Sequence, residues 1–84
     1  MKSSTYASLV TIIFYKNRSR MSRSIESAIR TTDKLCSDLN IKNDLSHMTK
    51  YRVIANLLDH GILATRKTNK NRKLRISKKI LDVL

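Results

Sequence analysis

The chain has 84 residues, 40% of them hydrophobic, which is enough for one modest core and too few for a second domain. Lysine and arginine number 18 against 6 acidic residues, giving a net charge of +12, an excess typical of proteins that bind a polyanion such as nucleic acid. The longest apolar run, at residues 9–15, is far below the roughly 18 to 20 residues that cross a bilayer, so a transmembrane helix is excluded and no signal peptide is expected.

The first predicted element is a helix over Ser3–Lys16, with Ser4 or Thr5 as its N-cap. Its apolar residues recur at spacings of three and four, which is the helical period. They are Tyr6, Leu9, Val10, Ile13 and Phe14. The β-branched run at residues 10–13 leaves a strand as the alternative.

A second helix is predicted from a cap at Ser22, with Glu26 one turn further on, to about residue 40. A long amphipathic stripe supports it. The stripe comprises Ile25, Ala28, Ile29, Thr32, Leu35, Cys36 and Leu39. In that position Cys36 is expected to be a small buried hydrophobe rather than a reactive thiol.

The third helix is predicted to begin at a Ser46 cap, after a turn at residues 41–45, and to run to His60. Gly61 follows at the place where helices commonly end in a left-handed residue. The predicted core side chains of this helix are Tyr51, Ile54, Leu57 and Leu58.

Residues 62–68 and 72–77 alternate apolar with polar side chains and predict a β-hairpin joined by residues 69–71. Its predicted inward side chains are Ile62, Ala64, Leu74 and Ile76. An apolar tail follows, which either packs on the first helix or meets a second subunit. The tail contains Ile80, Leu81, Val83 and Leu84.

Three helices followed by a hairpin is the element order of the winged helix-turn-helix fold, a mainly α architecture with a small β-hairpin. The segment LLDHGILATRKTNKNRKLRIS at residues 57–77 resembles the end of the recognition helix, the glycine and the wing of that superfamily. Upstream, TTDKLCSDLNIKNDLSHMTKYRVIANLLDHGIL is similar to the C-terminal winged-helix domain of archaeal origin-recognition initiators. Their ATPase part is missing, because one glycine cannot build a P-loop. The resemblance therefore implies a DNA-binding module, and a compact archaeal, viral or plasmid regulator is the alternative to a replication factor.

The third helix is predicted to carry the residues that contact bases, on an edge opposite its core stripe. That edge comprises Thr49, Arg52 and Asn56, flanked by Asp59 and His60. Arginine pairs with guanine and asparagine with adenine in the major groove. Phosphate contacts are expected at the start of the same helix, from Ser46, His47 and Lys50. A plain solvated helix face is the alternative interpretation.

The hairpin gives the sharpest functional signal, since residues 66–79 contain 8 basic residues and no acidic one. Such a wing is expected to follow a phosphate backbone or enter a minor groove. Its predicted contact residues are Arg66, Lys67, Lys70, Asn71, Arg72, Lys73 and Arg75. A second cluster, expected to contact the opposite flank of the DNA site, comprises Arg18, Arg20 and Arg23. A basic surface that serves only solubility is the alternative for both sets.

No cofactor, metal or enzymatic activity is expected. Cys36 is the only cysteine, so an internal disulfide is excluded and a reducing compartment fits. Cys36, His47 and His60 lack the paired short spacings of a zinc site. The acidic residues are dispersed, and the serines lack a nucleophile-elbow motif.

The sequence thus predicts a cytoplasmic regulator that binds double-stranded DNA in a sequence-specific way, with no membrane and no small-molecule substrate among its partners. A homodimer through the first helix and the C-terminal tail is a candidate assembly. The alternatives are a protein-interaction or RNA-binding winged-helix module, an accessory factor of replication or plasmid maintenance, and a peripheral protein of anionic membranes.

Overall fold

The structure is a computed structural model that describes residues 1–18, 24–67 and 72–83, with only the backbone described at residues 66, 67 and 72. The elements in these ranges are α1 (Ser3–Lys16), α2 (Ile25–Asp38), α3 (His47–Asp59), β1 (Leu63–Lys67), β2 (Arg72–Ile76) and α4 (Lys78–Val83). This is a small α+β domain, mainly helical, with a two-stranded antiparallel hairpin. The predicted order of three helices and a hairpin is confirmed, while α4 was not predicted.

The first helix has the predicted bounds, and the strand alternative at residues 10–13 is wrong. All five predicted apolar side chains are buried, because α1 packs across both α2 and α3. The predicted cap is wrong, since Lys2 holds the N-cap position without a side-chain hydrogen bond, and Ser4 and Thr5 lie inside the helix.

The second helix begins later than predicted. Its N-cap is Ser24, whose hydroxyl accepts a hydrogen bond of 3.2 Å from the Ser27 amide, whereas the predicted cap, Ser22, lies outside the described residues. The helix ends at Asp38, and Asn40 follows with a left-handed φ of 55°, a conformation that asparagine tolerates. This early end leaves Leu39 at 55% exposure instead of in the core. Cys36 is buried, as predicted.

The third helix confirms the Ser46 cap, because the serine hydroxyl accepts a hydrogen bond of 3.2 Å from the Thr49 amide. Gly61, with φ of 74°, ends this region as predicted. The buried side chains of α3 are Val53, Ile54 and Leu57. The prediction therefore missed Val53 and overrated Tyr51 and Leu58, which are only partly buried.

The first strand of the hairpin is displaced by one residue from its predicted pattern, whereas Leu74 and Ile76 of the second strand are buried, as predicted. Leu63 pairs with Ile76 and Thr65 with Leu74, and directly opposite residues lie on the same face of a sheet. The core side chains are therefore Leu63, Leu74 and Ile76. Ala64 was predicted to point inward, which is wrong because it pairs with Arg75 on the other face.

Ile62 precedes β1 and is partly buried, and its carbonyl accepts a hydrogen bond of 2.9 Å from the Ser77 amide. The left-handed turn at Gly61 thus delays the strand until Leu63. After Ser77 the predicted tail is the helix α4, and Ile80 and Leu81 pack against the core of the same chain. Of the tail residues described, only Val83 is strongly exposed, at 84%.

Candidate nucleic-acid interface

The solvent-facing side of α3 carries an exposed line of four residues, which we call the α3 stripe. The α3 stripe comprises Met48, Arg52, Ala55 and Asp59. Their spacings of four, three and four place them along one line of the helix, opposite the buried Val53, Ile54 and Leu57. Within the described part of the chain, no ion pair or side-chain hydrogen bond engages Arg52.

Two of the three residues predicted to contact bases are exposed on one edge of α3, and the third is not. Arg52 and Asn56 are both exposed and lie one turn apart, whereas Thr49 is partly buried. The Thr49 hydroxyl lies 2.8 Å from the Ser46 hydroxyl, so these two side chains bond to each other at the start of the helix. Arg52 and Asn56 remain as the exposed polar side chains of that edge.

Lys50, predicted to contact phosphate, faces the interior instead. Its ammonium group lies 3.1 Å from the Asp33 carboxylate, and its side chain is only 12% exposed. The other carboxylate oxygen accepts hydrogen bonds from the Tyr6 hydroxyl at 2.9 Å and from the Asn43 amide at 2.8 Å. Burial and the bond to Asp33 raise the pKa of Tyr6. This cluster ties α1, α2, α3 and the loop between α2 and α3 together.

His47 remains at the surface but contacts an acidic neighbour. Its Nε2 lies 3.5 Å from the Glu26 carboxylate, and its ring meets the Tyr51 ring edge to face at 4.9 Å. The Tyr51 hydroxyl donates a hydrogen bond to the same carboxylate. That bond, followed by the charge of His47, lowers the pKa of Glu26. A negative charge therefore stands at this flank of the α3 N-terminus, which opposes a phosphate on the His47 side.

The hairpin brings basic residues together along its strands. Its register places Arg66 opposite Lys73 and Lys67 opposite Arg72, two pairs of like charge. Like charges directly opposite each other destabilise a sheet unless an anion neutralises them. Arg75 is exposed and Lys73 is partly buried. Two further predicted contact residues, Lys70 and Asn71, lie outside the described residues.

The second predicted cluster is represented by Arg18, since Arg20 and Arg23 lie outside the described residues. The Arg18 guanidinium folds back onto the end of α1. It donates a hydrogen bond of 3.0 Å to the Tyr15 carbonyl and stacks over the Tyr15 ring at 4.4 Å. The Arg18 backbone amide bonds to the same carbonyl at 3.2 Å, so the exposed side chain adds a second donor at the helix C-terminus.

Sequence reasoning missed several exposed residues near these surfaces. Met48 and Ala55 belong to the α3 stripe. Lys78 and Lys79 are exposed at the start of α4, directly after the hairpin. The two lysines stood in the acid-free run, and the spacing of Met48, Arg52 and Ala55 was visible once the buried side of the helix was known.

Comparison with protein-family models, with curated proteins and with solved structures gave no match to this chain. Among the described residues, no three His, Cys, Asp or Glu side chains are grouped so as to hold a metal ion. None of the helices in the described ranges is both long enough and apolar enough to cross a membrane. Fold and surface together define a small, strongly basic α+β domain with an exposed helix face and a cationic hairpin.

Proposed function

We propose that this chain is a sequence-specific DNA-binding protein of winged helix-turn-helix architecture that acts as a transcription regulator and not as an enzyme. In this proposal α3 enters the major groove, and the hairpin lies along the adjacent backbone or minor groove. Such a partner places the protein in the cytoplasm, on the nucleoid or on DNA in a host cell.

The observation that carries the proposal is the like-charge pairing of the hairpin. In the backbone register Arg66 is paired with Lys73 and Lys67 with Arg72, and residues 66–79 include no acidic residue that would balance their charges. A surface selected only for solubility mixes both signs of charge. A phosphate backbone supplies the compensating negative charge along its whole length.

The α3 helix supports specific rather than purely electrostatic binding. An α-helix fits the major groove, where each base pair presents a distinct set of donors and acceptors. Arg52 is exposed and unpaired among the described residues, and Asn56 lies one turn from it. These are the side-chain types that form bidentate contacts with guanine and adenine.

A symmetric dimer is part of the proposal. Ile12 and Tyr15 are exposed on α1, beside a groove that Ile76 also lines. Because Ile80 and Leu81 pack within the chain, the apolar surface of α1 is a better candidate than the C-terminal residues for subunit contact. Light scattering of the purified chain, free and on its DNA site, measures the stoichiometry.

The deciding experiment is enrichment of bound duplexes from a random pool, followed by titration of the winning duplex at several salt concentrations. Six to ten phosphate contacts predict roughly 10³- to 10⁵-fold weaker binding between about 50 and 200 mM salt. An enriched consensus with this salt dependence supports the proposal. Enrichment of no sequence, or binding insensitive to salt, contradicts it.

The second candidate is a protein- or RNA-binding module of the same architecture, favoured by the exposed Ile12 and Tyr15. Preferred binding of an RNA duplex or hairpin over the DNA duplex in a direct competition would support its RNA form. A protein complex that survives nuclease treatment, with no duplex bound at low salt, would support its protein form.

A further inference from the structure

Met48 is the most exposed large hydrophobic side chain of α3, at 68% exposure. It occupies the second position of the helix, where about two thirds of its surface is open to solvent. Burying a methionine side chain is worth about 1.5 to 3 kcal/mol relative to leaving it in water. An apolar group of the ligand that covers Met48, in the first turn of the proposed DNA-binding helix, would therefore add to the free energy of binding.

The neighbours of Met48 restrict what that ligand is. Ser46 and Thr49 bond to each other, and His47 faces Glu26. The α3 stripe then presents, in order, the Met48 thioether, the Arg52 guanidinium and the Ala55 methyl group. The ligand needs an apolar group close to an acceptor pair that suits a guanidinium.

The two ends of the α3 stripe differ in charge. Asp59 lies at its far end, where a carboxylate repels phosphates. At the start of α3 the positive end of the helix dipole favours an anion, and the Glu26 carboxylate contacts His47 and Tyr51, which are not part of the stripe. The first two turns of α3 therefore approach a polyanion more closely than the last turn. Met48 and Arg52 both belong to those turns.

In the major groove the apolar group on a base edge is the 5-methyl group of thymine, and guanine offers the O6 and N7 acceptor pair. Met48 and Arg52 are about one helical turn apart, roughly 5 to 6 Å, which corresponds to about one or two base-pair steps of 3.4 Å. We propose that Met48 contacts a pyrimidine 5-methyl group about one or two base pairs from a guanine held by Arg52. This inference rests on the proposed function and names the base chemistry that the helix selects.

The test uses the duplex enriched from the random pool. Each thymine is replaced singly by deoxyuridine, which removes the methyl group and keeps base pairing. At one thymine near the guanine, the affinity of the unmodified protein is expected to fall about fourfold, the factor that corresponds to one buried methyl group. With Met48→Ala the ratio between thymine and deoxyuridine duplexes is expected to approach one. The matched control Leu39→Ala removes an exposed side chain from the end of α2 and should keep the ratio.

A second arm adds the methyl group to another base. Where the critical thymine is replaced by cytosine, 5-methylcytosine should bind more tightly than cytosine by a similar factor. An enriched site that responds to no deoxyuridine, or a Met48→Ala variant that keeps the full ratio, overturns this inference and leaves the proposed function standing. Failure to enrich any duplex overturns both.

Discussion

The Lys50 ammonium group lies 3.1 Å from the Asp33 carboxylate, with the lysine side chain 12% exposed. This pair joins α2 to α3, and Tyr6 and Asn43 bond to the other oxygen of the carboxylate. A lysine that the sequence predicts at a phosphate thus contributes to the packing that fixes the orientation of α3.

Lys50→Met should destabilise the fold, because it leaves one oxygen of a partly buried carboxylate without its charged partner. We expect the free energy of unfolding to fall by about 1.5 to 3 kcal/mol, the usual range for a hydrogen bond to a charged group. Urea denaturation measures this change, with Arg52→Met as the exposed control expected to stay within about 0.5 kcal/mol. Native stability together with a smaller salt dependence of DNA binding would instead identify Lys50 as a phosphate contact.

The buried Tyr6 hydroxyl predicts a loss of stability at alkaline pH. Burial and its bond to Asp33 raise the pKa of Tyr6 above the ordinary value of 10.0, so the native state favours the protonated phenol. This contribution is fully present below pH 10. Above it the unfolded chain ionises first, and the free energy of unfolding falls by at most about 1.4 kcal/mol per pH unit.

Denaturation of the wild type and of Tyr6→Phe between pH 8 and 11 isolates this effect. Tyr6→Phe should be less stable at pH 8, by about 1 kcal/mol for the lost hydrogen bond, and should lose less stability than the wild type above pH 10. Burial also raises the pKa of Cys36, but that thiol is present in both proteins. Parallel pH profiles would show that Tyr6 ionises alike in the folded and unfolded chains.

The helices could be predicted because their apolar side chains repeat clearly. The five buried residues of α1, the Ser46 cap and Gly61 follow from local chemistry alone. The orientation of α3 could not be predicted as well. Choosing Tyr51 and Leu58 as core residues rotated the buried side away from Val53. That rotation put Lys50 on the outside and concealed Met48, and only the packing of α3 against α1 corrects it.

The inward face of the first hairpin strand could not be predicted from the sequence either. Residues 62–68 alternate from either starting point, because Ile62, Leu63 and Ala64 are all apolar. A displacement by one residue moves every side chain to the other face. The contact between the Ile62 carbonyl and the Ser77 amide, which is distant in sequence, decides between the two registers.

Leu63→Ala tests that register. Because Leu63 is buried against Leu74 and the helices, its truncation should lower the free energy of unfolding by about 2 to 5 kcal/mol. Ala64→Ser, on the opposite face, is the control and should change it by less than about 0.5 kcal/mol. Thermal or urea denaturation measures both. A larger loss from Ala64→Ser than from Leu63→Ala would restore the register predicted from the sequence.

Substitutions of Arg52 and Lys73 should change the affinity for DNA in different ways if α3 contacts bases and the hairpin contacts phosphates. Arg52→Ala removes a bidentate donor, so we expect a loss of about 1 to 3 kcal/mol on the enriched duplex and little on a scrambled one. Lys73→Ala should weaken both duplexes alike and reduce the salt slope by about one. Titrations of both duplexes at several salt concentrations measure these differences.

The matched control is Arg30→Ala, because Arg30 is exposed on α2 and its loss changes the net charge by the same amount. A general electrostatic effect would make the three variants indistinguishable, since each removes one positive charge from a chain of +12. Base contact by α3 requires the specific duplex to lose more than the scrambled one in Arg52→Ala alone. If Arg52→Ala and Lys73→Ala instead lower the affinity for both duplexes equally, α3 does not determine the sequence preference.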